Sequence, residues 1–181
     1  MKRKNLRILI IGPQGSGKTT QSKLLSEYLG VPYIETGEHL RKLSKENTFL
    51  GRKVKDILDK GEMVSDDLAA EIVEKRLKAK DVINGFVMNG YPRNLNQIKL
   101  FKQSFDKVLY IEIDDREALN RLLKRGREDD TSELIKKRLS DYHKLTKPIL
   151  EYYQKLGILE TVDGVNTIDA TADEIRSALD G

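Results

Sequence analysis

The stretch that decides the fold is Gly12-Pro13-Gln14-Gly15-Ser16-Gly17-Lys18-Thr19, which matches the pattern G-x-x-x-x-G-K-[ST]. The apolar run before it, residues 6–11, predicts a short buried strand. Residues 20–29, after the loop, have the spacing of a helix with an apolar face formed by Leu24, Leu25, Tyr28 and Leu29. A strand, a glycine-rich turn and a helix in this order are the context in which the pattern binds phosphate, so we predict a phosphate-binding loop at residues 12–19.

The residue types of this loop explain why it suits an anion. Glycines let backbone N–H groups converge on a phosphate without Cβ atoms in the way, and the positive end of the next helix dipole adds to the attraction. Lys18 has the length to reach the β- and γ-phosphates of a nucleoside triphosphate, and the Thr19 hydroxyl is a ligand for Mg²⁺. The predicted triphosphate contacts are Gly12, Gly15, Ser16, Gly17, Lys18, Thr19 and Thr20.

Composition limits the other kinds of site. The 181 residues include no cysteine and only two histidines, His39 and His143, so we expect no disulfide, no thiolate metal site and no histidine zinc site. Acidic and basic residues are interspersed, the net charge is +4 and no nucleic-acid motif occurs, so no nucleic-acid partner is expected. The first apolar run stops at Gly12, too soon for a signal peptide, and no stretch reaches transmembrane length. We therefore expect a soluble, cytoplasmic protein with no membrane partner.

Strand and helix patterns alternate along the rest of the chain, which indicates an α/β fold. Further strands are predicted at 31–35, 85–89 and 107–114, and the last strand lies either at 158–162 or at 165–168. Helices are predicted from Thr36, whose side chain is expected to be the cap, from Ser65, and over 50–60, 94–105, 116–124 and 172–179. A long helix starts near Ser132, and Pro148 is expected to kink or interrupt it.

Four further motifs follow the loop, namely Thr36-Gly37-Glu38-His39-Leu40-Arg41, Lys60-Gly61-Glu62-Met63-Val64, Gly85-Phe86-Val87-Met88-Asn89-Gly90-Tyr91-Pro92-Arg93 and Lys136-Lys137-Arg138-Leu139. In this order and over almost the whole chain, they resemble the adenylate kinase family, in particular its short-lid nucleoside monophosphate kinases. The resemblance implies one domain, 1–181, with a P-loop NTPase-type doubly wound parallel sheet of about five strands and helices on both faces. It also implies a monophosphate-binding segment at about 36–65 and a very short lid at about 125–133.

The reaction that the resemblance implies is reversible transfer of the γ-phosphoryl of MgATP to AMP, which gives two ADP. Such a transfer depends on positioning and charge neutralisation more than on covalent chemistry. The implied catalytic residues are Lys18, Arg93, Arg125, Arg127 and Arg138. The implied AMP contacts are Thr36, Gly37, Arg41, Val64, Gly90, Arg93, Gln97, Arg127 and Arg138. The ATP site would also include Arg121, stacked on the donor adenine, and Arg125, with Asp129 and Asp130 orienting the lid arginines.

The acceptor base is predicted from Thr36 and Gln97, which match family positions that favour adenine. A side-chain amide such as that of Gln97 pairs with the donor and acceptor edge of adenine. Asn94 also occurs in pyrimidine kinases, so AMP is favoured and a UMP/CMP kinase is the alternative. For the donor base, Gly164 and Ala170 are both candidate contacts, and the alternative between them stays open.

Two positions depart from the family pattern. Asn89 stands where the family usually has an Asp that organises the Mg²⁺ water shell, so the predicted metal residues are Thr19 and, through water, Asn89, with weakened Mg²⁺ handling. Only Gly126 separates Arg125 from Arg127, which makes the lid shorter than usual and predicts some ATP hydrolysis without acceptor. A catalytically impaired nucleotide-binding protein is the alternative of a different class, and a monomer is expected in each case.

Overall fold

The computed structural model describes residues 5–60, 62–126 and 131–180. Five parallel strands form one sheet in the order β2-β3-β1-β4-β5. The strands are β1 (Arg7–Ile11), β2 (Tyr33–Glu35), β3 (Phe86–Asn89), β4 (Lys107–Glu112) and β5 (Leu159–Asp163). The helices are α1 (Lys18–Leu29), α2 (Thr36–Leu43), α3 (Phe49–Asp59), α4 (Asp66–Leu77), α5 (Leu95–Leu100), α6 (Asp115–Arg125), α7 (Ser132–Lys155) and α8 (Ile168–Asp180), with a 3₁₀ turn at Lys80–Val82.

The sheet is covered on both faces, and this explains why its central strands β1 and β3 are buried along nearly their whole length. Alternate residues of β1 enter different cores: Ile8 and Ile10 pack with α1 and α8, whereas Leu9 packs on the other side with residues of α4 and α7. Parallel strands buried on both faces require continuous apolar runs rather than alternation. The predicted doubly wound α/β fold is therefore confirmed.

The position of β1 determines where a ligand enters. The strand lies between β3 and β4, so the connections on its two sides run in opposite directions along the sheet. In sheets of this kind a crevice opens at the carboxyl ends of the strands, at the point where the strand order reverses. The register places Ile10 beside Asn89 and Asn89 beside Glu35 at that edge.

The structure decides the last strand and corrects one helix. The fifth strand is Leu159–Asp163, the first of the two alternatives, and it pairs with β4. The helix predicted over 94–105 is shorter, because Phe101 leaves helical geometry and stacks its ring on Phe105 at 4.9 Å between centroids. Asn94 caps α5 by accepting from the Gln97 backbone N–H at 2.8 Å.

The start of α2 and the course of α7 at its proline both differ from the prediction. Thr36 is the first residue of α2 and not its cap, since Glu35 holds the cap position without a capping side-chain hydrogen bond. Pro148 lies inside α7 and does not interrupt it. Ile149 and Tyr153 beyond the proline are buried in the large core, so tertiary packing offsets the lost backbone hydrogen bond.

The apolar face predicted for α1 is only partly buried. Leu25 and Leu29 are in the core, but Tyr28 is exposed and the Arg176 guanidinium lies 5.2 Å from its ring centre. The buried face instead includes Gln21 and Ser22. Among the described helices, none is both long and apolar enough to cross a membrane.

Candidate active site

A cavity of about 910 Å³ opens at the carboxyl ends of the strands, where the crevice is expected. Most of the predicted site residues line it: Gly15, Gly17, Lys18, Thr19, Thr20, Thr36, Gly37, Arg41, Val64, Asn89, Gly90, Arg93, Gln97, Arg121, Arg125 and Arg138. Gly12 and Ser16 do not line the cavity, although they belong to the same loop. Gly61, Arg127, Asp129 and Asp130 lie outside the described residues.

The phosphate-binding loop takes its shape from glycines with positive φ. Gly15 has a φ of +86° and Gly17 a φ of +84°, in the left-handed region that side chains disfavour. Gly12 has a different constraint, because a Cβ there would meet the Ile111 carbonyl oxygen at 2.9 Å. Gly12 and Ser16 therefore pack beneath the loop and support its shape.

Lys18 lies at the start of α1 and points back over the loop. Its Nζ donates to the Pro13 carbonyl oxygen at 3.1 Å. Burial, with Arg93 and Arg125 nearby, lowers the pKa of the Lys18 ammonium to about 8, while Glu35 acts in the opposite direction. The cavity thus concentrates positive charge even before a ligand is present, as a polyphosphate site requires.

Two arginines of the cavity lining follow β2 and β3 in the chain. Arg93 follows β3 and the cis Tyr91–Pro92 bond, and its Nε donates to the Gly90 carbonyl oxygen at 2.8 Å. Arg41, on α2, contacts Glu35 with 3.3 Å between Nη2 and Oε1. Guanidinium groups suit phosphate because they donate two parallel hydrogen bonds to its oxygens.

The other described arginines come from α6 and α7. Arg125 ends α6 and Arg138 lies in the second turn of α7, and both line the cavity. A separate apolar cluster that includes Leu122 and Ile135 packs these helices together. This packing keeps the arginine-bearing sides of α6 and α7 at one mouth of the cavity.

Arg121 joins three parts of the chain. Its Nη1 donates to the Gly164 carbonyl oxygen at 2.8 Å and approaches that of Gly15 at 3.5 Å, and its Nε pairs with Glu117. These bonds attach the phosphate-binding loop to the segment after β5. Stacking of Arg121 on a base stays a prediction, and so does the choice between Gly164 and Ala170 as the donor-base contact.

Gln97 is buried, and both ends of its amide are engaged. Its Oε1 accepts from the Arg93 backbone N–H at 2.7 Å, and its Nε2 donates to Asp66 Oδ1 at 2.8 Å. Asp66 also accepts from the side chains of Asn94 and Asn96, each at 2.9 Å. Although burial alone would raise it, the pKa of Asp66 is lowered by these three hydrogen bonds.

The walls around Gln97 suit a flat, partly apolar ring. Thr36 is buried, and its hydroxyl has no hydrogen-bond partner among the described residues. An orphaned hydroxyl on a cavity wall is available to a ligand. Nearby apolar side chains complete this end of the cavity, namely Leu40, Leu58, Met63, Val64 and Ala69.

The predicted metal residues offer oxygen ligands and little charge. Asn89 is 1% exposed, and its Nδ2 donates to Ser22 Oγ at 3.2 Å and to the Tyr33 hydroxyl at 2.9 Å, which leaves its Oδ1 to accept from water. No group of three His, Cys, Asp or Glu side chains in the described part of the chain could hold a metal by itself. A threonine hydroxyl and an amide oxygen fit a hydrated Mg²⁺ carried by a triphosphate, because Mg²⁺ keeps several waters in such sites.

Sequence reasoning missed three residues of this site: Tyr33, Glu35 and Asp66. Glu35 ends β2, and that position could have identified it, because the carboxyl ends of parallel strands meet at the ligand edge. The sequence around Asp66 predicts only the start of a helix. It does not indicate the hydrogen bonds with Asn94 and Gln97, which lie more than twenty-five positions away.

Comparison with known proteins agrees with the geometry. The family model for adenylate kinase matches residues 10–158. The adenylate kinase of Prochlorococcus marinus (strain MIT 9211) is 43% identical over 180 residues, with 96% of each chain covered. That of Mycobacterium tuberculosis (strain ATCC 25618 / H37Rv) is 42% identical over 181 residues, covering 96% of this chain and 99% of the relative. That of Renibacterium salmoninarum is 40% identical over 186 residues, covering 97% and 96%. The chain belongs to the adenylate kinase family.

Proposed function

We propose that this protein is an adenylate kinase that transfers the γ-phosphoryl of ATP to AMP, reversibly and with Mg²⁺, to give two ADP. The observation that carries the proposal is one continuous cavity with a triphosphate loop at one end and Arg41, Arg93 and Gln97 at the other. A reaction between two phosphates needs both held in line, with their charge neutralised.

The chain's own groups act by binding and orientation. Lys18 and the backbone N–H groups of the loop hold the triphosphate, while Arg41 and Arg93 hold the acceptor phosphate. Arg125 and Arg138 line the same cavity and stabilise the charge that develops during transfer. Thr19 and a water on Asn89 would hold Mg²⁺ together with the triphosphate, and the ion would supply further charge neutralisation. Arg127 belongs to the same proposed set.

AMP is the proposed acceptor because the apolar wall around Gln97 and the free Thr36 hydroxyl suit adenine. Asn94, the residue that suggested a pyrimidine acceptor, has a structural use here: it caps α5 and donates to Asp66. The proposal includes a monophosphate-binding segment at 36–65, a lid at 125–133, a monomeric state and a cytoplasmic location.

The test is ADP formation from ATP with AMP, CMP, UMP, GMP or dTMP at several Mg²⁺ concentrations, beside an acceptor-free control. We expect rapid turnover with AMP, little with the other acceptors and no reaction without divalent metal. Faster turnover with CMP or UMP would support the pyrimidine alternative. Measurable ATP binding without turnover on any acceptor would contradict the proposal and support an impaired nucleotide-binding protein.

A further inference from the structure

The predicted metal residues lack the negative charge that a magnesium nucleotide site usually contains. Mg²⁺ in such sites is held by one or two carboxylates together with phosphates and waters. Thr19 and Asn89 are neutral. Glu35 lies directly beside Asn89, since the two residues are register partners at the ends of β2 and β3.

The Tyr33 hydroxyl links Glu35 to Asn89, one of the two predicted metal residues. It donates to Glu35 Oε2 at 2.9 Å and accepts from Asn89 Nδ2 at 2.9 Å. Thr19 lines the same cavity. Glu35 Oε1 contacts Arg41 Nη2 at 3.3 Å. A carboxylate has about four acceptor positions, so Glu35 keeps the capacity to accept from water.

Glu35 is also the inward-facing carboxylate of the described cavity wall. Glu38 and Glu62 line the cavity as well, but Glu38 pairs with Lys42 at 2.8 Å and Glu62 is exposed. The Glu35 side chain is only 19% exposed. Its charge acts on Lys18 at the triphosphate end and on Arg93 at the acceptor end. It therefore lies between the two phosphate-binding regions.

We propose that Glu35 supplies the carboxylate that holds the water shell of nucleotide-bound Mg²⁺, with Tyr33 as its positioning residue; the inference rests on the proposed function, which assumes Mg²⁺-bound ATP. Neighbouring strands are about 4.8 Å apart, and Glu is one methylene longer than Asp. A glutamate on β2 can thus reach the region that an aspartate at the end of β3 would face. Asn89 then causes no loss of Mg²⁺ handling.

The experiment measures Mn²⁺ affinity by electron paramagnetic resonance in the complex of the whole chain with a non-hydrolysable ATP analogue. Glu35→Gln is expected to weaken Mn²⁺ binding about tenfold, in the range found when partners of metal-bound groups are removed. Asn89→Asp in the Glu35→Gln background is expected to restore most of that affinity, because a carboxylate returns one strand away. Asn89→Asp alone should change little. The matched control, Glu38→Gln, removes one nearby carboxylate charge and should leave Mn²⁺ binding unchanged.

Tyr33→Phe gives a second route to the same result. It keeps the ring and removes the bridging hydroxyl, so we expect a smaller loss of Mn²⁺ affinity than for Glu35→Gln. If Glu35 only positions Arg41, then Glu35→Gln will weaken AMP binding and leave Mn²⁺ affinity unchanged. Adding Asn89→Asp will then not increase Mn²⁺ affinity. That outcome, or a large gain from Asn89→Asp alone, overturns the inference.

The metal measurement involves no phosphoryl transfer, so the two proposals can fail separately. Absence of turnover with AMP, together with a Glu35-dependent Mn²⁺ site, would contradict the proposed function and support the Glu35 assignment. Normal turnover with AMP, together with Mn²⁺ binding that does not depend on Glu35, would support the proposed function and contradict the Glu35 assignment.

Discussion

At the end of the cavity that we propose binds the triphosphate, most lining residues belong to one stretch, residues 14–20, whereas at the proposed acceptor end they come from several separated segments. The first end is formed largely by backbone whose shape depends on glycines. The second is formed by side chains that fix one another, as Asp66, Gln97 and the Arg93 backbone do. A backbone site tolerates changes around it, while a side-chain network transmits each change to its other members.

The strongest way to break the triphosphate end is Lys18→Met. We expect kcat to fall about 10³-fold, because a charge that stabilises the transferring phosphate is lost. The same change should raise the melting temperature of the nucleotide-free protein, since burial lowers the pKa of Lys18 and its charged form is therefore destabilising. Steady-state kinetics and calorimetry check the two parts. A lower melting temperature would contradict the expectation that the buried Lys18 charge is destabilising.

Arg93→Lys tests the acceptor end. A lysine keeps the charge but loses the bond from Nε to the Gly90 carbonyl oxygen and the paired donors of the guanidinium. We expect kcat/KM for AMP to fall about 10²-fold, with the KM for ATP nearly unchanged. The control is Arg52→Lys, on the exposed side of α3, where the guanidinium contacts only Asn47 among the described residues. If kcat/KM fell equally for AMP and for ATP, the two ends of the cavity would not be functionally distinct.

The pH dependence of nucleotide binding sharpens the comparison. The pKa of Lys18 is about 8 in the free protein, and a bound triphosphate should raise it, so the complex holds more protons than its components above pH 8. Affinity for an ATP analogue should therefore fall as pH rises through 8, by about tenfold between pH 7 and pH 9. Calorimetry in buffers of different ionisation enthalpy should detect proton uptake. Lys18→Arg should abolish both effects, while AMP affinity should change little over the same range.

Asp66→Asn is expected to have the smallest effect, because it changes only the orientation of Gln97 at the proposed acceptor end. Asparagine leaves one neutral oxygen for the three amide donors of Asn94, Asn96 and Gln97, so Gln97 is held less firmly. We therefore expect the KM for AMP to rise about fivefold and the preference for AMP over CMP to decrease. The kcat and the KM for ATP should stay near their original values. Asp67→Asn, in the same helical turn but exposed, is the matched control. A loss confined to kcat would assign Asp66 a different role.

The contrast between the ends also explains what the sequence could predict. The phosphate-binding loop with Lys18 and the α/β fold were predictable, because each depends on a local pattern. The arginines that line the cavity were predictable because the family resemblance implies them. The roles of Tyr33, Glu35 and Asp66 were not, because they depend on which strands become neighbours: Tyr33 meets Asn89 across 56 positions. The choice of the last strand and the early end of α5 likewise required tertiary contacts, the pairing with β4 and the Phe101–Phe105 stack.

The unbroken passage of α7 through Pro148 has a mechanical consequence. Arg138 lies on the cavity side of the proline, and Ile149 and Tyr153 are anchored in the core on the other side. The proline removes the backbone hydrogen bond at the junction of these two halves. At about 1.5 Å per residue, a bend of about 10° at Pro148 moves the Arg138 backbone by roughly 3 Å. A small change of angle near the sheet would therefore displace the Arg138 end of the helix, at the mouth of the cavity, by about the size of a phosphate group.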